Sequence, residues 1–152
     1  MINLYAPAKL TLSLEIMGRR DDGYHLIEAE MVSLDLMDEL EVSDDRGNGG
    51  IEISTEYPNQ PWGFDTESSV PDNESNLVSK ALNLLNVEKS VHIRKKIPPG
   101  AGLGGGSADA AAVLRWGGFK DFVAASRLGA DVSFCLQGGR AIVAGIGEKI
   151  TP

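Results

Sequence analysis

The stretch "PPGAGLGGGSADAAAVL", Pro98 to Leu114, decides how the rest of the chain is read. Five glycines fall between Gly100 and Gly106, followed by a serine and an alanine-rich run. Glycine loses more conformational freedom on folding than any other residue, so an ordered loop of this kind needs a use for bare backbone. Ser107 has the chemistry of a helix N-cap, Asp109 would place a negative charge in the first turn, and Ala110 to Leu114 propagate a helix well. The spacing therefore predicts a helix from Ala108 with the glycines just ahead of it. Unsatisfied N–H groups and the positive end of the helix dipole converge at such a junction, which makes it a site for an anion such as a di- or triphosphate. A flexible linker or a tight turn is the plainer alternative, and Leu103 within the loop argues for an ordered turn.

Known phosphate loops fit poorly. The P-loop pattern ends in Gly-Lys-Ser/Thr, whereas Gly106 runs directly into Ser107. Gly100, Gly102 and Gly105 match G-x-G-x-x-G, yet two prolines precede them and no strand-ending acid lies about 20 residues on. No H-R-D or D-F-G follows, which excludes a protein kinase.

Upstream, Leu10 to Ile16 reads L-T-L-S-L-E-I, a period-two pattern expected of a half-buried strand with Leu10, Leu12, Leu14 and Ile16 facing the core. Lys9 then belongs to the polar side with Thr11, Ser13 and Glu15. Asp22-Gly23 supplies a turn. Ile27 to Leu36, Leu40 to Ser43, Ile51 to Thr55 and Val91 to Arg94 are expected as strands, and Asn76 to Asn86 as a helix. Tyr57 to Ser75 carries three prolines and reads as a long surface loop. A second helix is expected from about Lys120 to Leu128 and a strand at Arg140 to Ala144. Strands first and helices later argue for an α+β fold. The closing "GIGEKITP" reads as a chain that continues.

At 152 residues the chain can bury one sizeable core. A net charge of −8 works against binding nucleic acid, and no apolar run approaches a membrane span. No secretory signal opens the sequence, and Cys135, the single cysteine, suits a reducing compartment, so a cytoplasmic location is expected. His25 and His92 are the only histidines and form no zinc-site spacing.

Four motifs in order, Ala6 to Leu10 (A-P-A-K-L), Arg19 to His25 (R-R-D-D-G-Y-H), Pro98 to Ala108 and Leu128 to Val132 (L-G-A-D-V), resemble the GHMP small-molecule kinases. The resemblance implies a fold like domain 2 of ribosomal protein S5, with residues 1–152 forming an ATP-binding N-terminal domain and a C-terminal domain absent. It implies ATP and Mg²⁺ as cofactors and, from the G-Y-H stretch, phosphorylation of the 2-hydroxyl of a cytidine-diphosphate-linked methylerythritol in non-mevalonate isoprenoid synthesis. Other family members acting on homoserine or mevalonate, or a truncated nucleotide-binding module without turnover, are the alternative readings.

By position, the resemblance makes Asp131 the base for the substrate hydroxyl and Lys9 the cation beside it. Tyr24 and His25 fall in the cytidine pocket, with Thr11 near the substrate where the family more often has asparagine. Pro98, Pro99, Gly100, Ala101, Gly102, Leu103, Gly104, Gly105, Gly106, Ser107 and Ala108 would hold the ATP phosphates. Ser107 would also reach the metal, and Asn76 would line the nucleotide site. From the residues alone, Lys9 reads first as a solvated strand lysine, Asp131 as a turn or N-cap residue and Tyr24 and His25 as packing residues, while Asn76 reads equally as a helix cap; the resemblance reverses the first three.

Overall fold

Asp22-Gly23 closes a long hairpin. Gly23 has φ +91° and donates its amide to Arg20 at 2.9 Å, while the Arg20 amide reaches Tyr24 at 2.7 Å. The hairpin joins β1 (Ile2–Arg19) to β2 (His25–Ser43), which pair antiparallel along nearly their whole length. A computed structural model describes residues 1–44, 50–56 and 70–152 of the chain. The expected loop from Tyr57 therefore lies outside the described residues up to position 69, and 70–75 is irregular.

The far edge of β2 is shared. Its first half pairs with β5 (Arg140–Gly145) and its second half with β4 (Ser90–Lys95), both antiparallel. β3 (Ile51–Thr55) runs parallel to β4, and β6 (Lys149–Thr151) closes on β5. The two strands expected at Ile27 to Leu36 and Leu40 to Ser43 are one, because the intervening Met37, Asp38 and Glu39 stay extended opposite Pro7, Ala6 and Tyr5 of β1 rather than turning.

The helices α1 (Leu77–Leu85), α2 (Gly105–Trp116), α3 (Phe122–Leu128) and α4 (Val132–Gln137) form a second layer. α4 was not expected; at six residues it is too short to show a helical period. α2 is the central helix, touching β1, α1 and α4. Its Ala108, Ala110, Ala111 and Ala112 are all buried, because small side chains let it sit close to the sheet. Leu40 and Ile93 face each other across β2 and β4 and, with Phe134 and Leu114, form the inaccessible centre of the core. Beyond α2, Gly117 packs against the end of α1: a Cβ there would lie 2.5 Å from Leu85 Cδ1, so a larger residue has to displace that side chain.

β1 corrects one expectation. Its register shifts between Pro7 and Lys9 and again between Thr11 and Ser13, so the consecutive Ala8 and Lys9 are both buried. Bulges of this kind break the two-residue period and re-aim side chains. The helical layer covers the strand only as far as Lys9, and no residue beyond Thr11 falls below partial exposure. Leu10, Leu12, Leu14 and Ile16, expected in the core, are 40, 49, 59 and 65% exposed, whereas Lys9 is 8% exposed.

Candidate functional site

The glycine loop opens α2, but the helix begins at Gly105 rather than Ala108, and its N-cap is Gly104 with no side-chain capping bond. Ser107 is thus the third helical residue, not the cap. Asp109 lies beyond the first turn and is 2% exposed, paired with Lys95, so it does not serve the dipole from the surface. The first-turn amides of α2 are thus left with neither an intrahelical acceptor nor a side-chain cap.

Gly104 has φ +66°, and a Cβ there would lie 2.9 Å from Lys9 Cγ. Backbone conformation and space both require glycine. The Lys9 stem passes under Gly104, and its amide bonds Leu103 O at 2.9 Å. Its Nζ donates to Thr11 Oγ1 at 3.2 Å and pairs with Asp131 Oδ2 at 3.3 Å. Asp131 precedes α4 without capping it, which leaves the carboxylate free to face Lys9. A Cβ on Gly129 would lie 3.6 Å from Ser107 Oγ, so the segment carrying Asp131 also meets the first turn of α2. Lys9, Thr11, Asp131, Ser107 and the loop therefore converge.

Tyr24 and His25 line a separate open groove of about 520 Å³. Arg20, Tyr24, His25 and Ile27 come from the hairpin end, Ser126, Arg127 and Ala130 from α3 and the segment after it, and Ile146 from the β5–β6 turn. Ala130 on its wall is the residue before Asp131. Tyr24 is 61% exposed and carries the Arg20 guanidinium 5.8 Å from its ring centroid. Its ring is free to stack on a ligand.

A second cavity, of about 380 Å³, is bounded by Val70, Pro71, Lys95, Ile97 and the loop from Pro98 to Gly106, Ala101 excepted. Asn76 is not on its wall. Its Oδ1 accepts from the Val78 amide at 2.8 Å and its Nδ2 donates to Pro71 O at 2.7 Å, so it caps α1 and fixes a residue that does line the cavity.

Sequence reasoning missed Lys95 and Asp38, although the signal was present. Val91, Ile93 and Lys95 alternate on the buried face of β4, and Asp38, Leu40 and Val42 on that of β2. Burial opposes the charge on Lys95, but Asp109 and Asp38 outweigh it and raise its pKa. Burial pushes the Asp109 carboxyl well above the usual range, with Asp38 adding to the effect and Lys95 opposing it. Two carboxylates around one ammonium would otherwise leave a buried negative charge. Cys135, also buried, has its thiol pushed up to about 12, chiefly by desolvation.

The model of the GHMP kinases N terminal domain matches residues 76–118, spanning α1, β4, the glycine loop and α2. A 4-diphosphocytidyl-2-C-methyl-D-erythritol kinase from Shouchella clausii is 41% identical across 99% of this chain and 52% of its own length. One from Bacillus cereus is 43% identical over 95% of this chain and 52% of its own. The chain belongs to the GHMP kinases. Among solved structures, a 4-(cytidine 5'-diphospho)-2C-methyl-D-erythritol kinase superposes with a TM-score of 0.68 at 34% identity, covering 99% of this chain and 55% of that one. The mevalonate kinase of Methanococcus jannaschii shares the GHMP fold at a TM-score of 0.53 and 16% identity. This GHMP chain spans about half the length of the curated relatives it matches. No helix among the described residues is long and apolar enough to cross a membrane.

Proposed function

We propose that the chain supplies the nucleotide-binding and catalytic half of a cytoplasmic kinase that transfers a phosphoryl group from ATP to the 2-hydroxyl of 4-diphosphocytidyl-2-C-methyl-D-erythritol, with residues 1–152 as its ATP-binding domain. The observation that carries this is the convergence at Lys9: its backbone is bonded to the glycine loop and its ammonium to Asp131. A base for a hydroxyl and a cradle for phosphates are thereby held by one residue.

The residues fit a nucleotide triphosphate. The first-turn amides of α2 are uncapped, and a Cβ on Gly100 or Gly102 would meet nothing within 4 Å, so the loop surface is open to a ligand. Mg-ATP, when bound, supplies the transferable phosphoryl group and metal charge; the α2 amides would hold the phosphates and the Ser107 hydroxyl would face the metal. Asp131 accepts the hydroxyl proton, and Lys9 holds that carboxylate in place while offsetting charge on the transferring group. Phosphoryl transfer is mostly positioning and charge stabilisation, so this set suffices. Tyr24 and His25 take the cytosine end, in a groove whose wall includes Ala130, the residue before Asp131. Thr11, held by Lys9, presents a hydroxyl beside the reacting alcohol.

The test is incubation of the protein with Mg-ATP and the cytidine-linked substrate, with the phosphorylated product read by mass spectrometry. Product is expected, and Asp131→Asn should lower its rate by about 10²- to 10⁴-fold. Product formed equally by the Asp131→Asn protein would overturn the assignment. Preference for homoserine or mevalonate over the cytidine-linked alcohol would assign the chain to another GHMP substrate.

A further inference from the structure

Beneath the glycine loop lies a buried ion cluster that takes no part in the roles above. Lys95 ends β4, Asp38 sits on β2 and Asp109 on α2, at 2, 0 and 2% exposure. Lys95 Nζ lies 2.5 Å from Asp38 Oδ2 and 2.8 Å from Asp109 Oδ2. Asp38 Oδ1 accepts the amides of Lys96 and Ile97 at 2.6 and 2.8 Å. Asp109 Oδ1 has no partner among the described residues.

Charges buried this deeply are a poor source of stability, because desolvation consumes most of the attraction. Their placement suggests another use. Asp38 grips the two residues through which the chain enters the loop. Asp109 stands on the helix into which the loop exits, and Lys95 spans the two. Where that helix starts, a Cβ on Gly105 would lie 3.0 Å from Lys95 Nζ and 3.1 Å from Ile97 Cγ2, so the lysine and the bare backbone are fitted to each other.

We propose that Asp109, acting through Lys95 and Asp38, is a positioning residue for the glycine loop: the triad ties the strand that enters the loop to the helix that leaves it, and so sets where the first-turn amides of α2 meet a phosphate. The proposal rests on the reading that this loop takes nucleotide phosphates. Its charge balance makes it separable from folding. Removing Asp109 leaves Lys95 and Asp38 as a neutral pair, and leucine repeats the branched outline of the aspartate side chain, so the fold keeps its core while the helix loses its tie.

The experiment compares wild type, Asp109→Leu and Asp109→Asn by amide hydrogen exchange of the loop, with the core strands β2 and β4 as internal reference, and by calorimetric titration with Mg-ATP. In Asp109→Leu the loop amides should exchange at least tenfold faster, with core exchange and melting temperature unchanged and ATP binding at least tenfold weaker. Asp109→Asn keeps an acceptor for Lys95 and should restore both to near wild type. Loop exchange in Asp109→Leu that matches wild type, loop and core loosening together, or an Asp109→Leu chain that fails to fold would each overturn the proposal. A wild-type protein that does not bind Mg-ATP would remove the nucleotide reading, while the exchange comparison would still decide the role of the triad.

Discussion

At the scale of single residues, the site depends on a lysine that the chain buries and then points outward. Lys9 is flanked by Ala8 on one side and Gly104 above, and its ammonium is left with Thr11 and Asp131. Gly104→Ala should therefore act twice, through a left-handed backbone now carrying a Cβ and through the clash with the Lys9 stem. The expected cost is about 1–3 kcal/mol of stability by analogy with other strained positions, and thermal unfolding together with Mg-ATP titration measures both effects. A Gly104→Ala protein with wild-type melting and binding would show that the Lys9 stem has room to move. Cys135 gives a pH prediction. Its folded pKa is raised from 9.0 to about 12, so the unfolded chain ionises first as pH climbs. The thiol's contribution is complete below about pH 9 and is lost between 9 and about 12. Melting temperature plotted against pH should fall more steeply over that window in wild type than in Cys135→Ala, and equal slopes would contradict the burial of the thiol.

At the scale of elements, the chain was legible where local chemistry and tertiary packing agree. α1 has Asn at both ends, one as an N-cap bonded to Val78 and one at φ 55° as the C-cap, and its bounds follow from those two residues. Asn76→Ala should cost about 0.5–2 kcal/mol, read by urea unfolding, because it removes the cap and also the bond to Pro71. The strand β4 and the alanine-rich α2 were legible for the same reason. β1 was not. An alternating L-T-L-S-L-E-I defines two faces without saying which is covered, and two bulges then change which residue points where. The start of α2 was misplaced because Ser107 is a good cap in isolation, whereas the tight pass of Lys9 and Lys95 beneath Gly104 and Gly105 begins the helix earlier. The Lys9–Asp131 pairing joins residues 122 positions apart, and only the family motifs pointed to it.

At the scale of the whole molecule, the surface is divided. One face of the sheet carries a charged ladder, with Arg94 bonded to Glu41 and 3.4 Å from Glu39, which Lys96 also meets at 2.7 Å. The hairpin end instead exposes Leu12, Leu14, Ile16 and Met17. Contiguous apolar surface of this kind promotes association, so the isolated chain should sediment with a concentration-dependent mass, and Leu14→Lys with Ile16→Lys should return it to a monomer. Identical monomeric sedimentation of both proteins would contradict this. On the proposed function, the glycine loop and the Lys9–Asp131 pair form one phosphoryl-transfer centre. A Mg-ATP titration followed by amide NMR is the decisive experiment. Saturating shifts are expected at Gly100 to Ser107, Lys9 and Asp131 together, with the charged ladder at Arg94 silent. Saturating shifts that leave the loop untouched, or loop shifts with Lys9 and Asp131 unmoved, would contradict it.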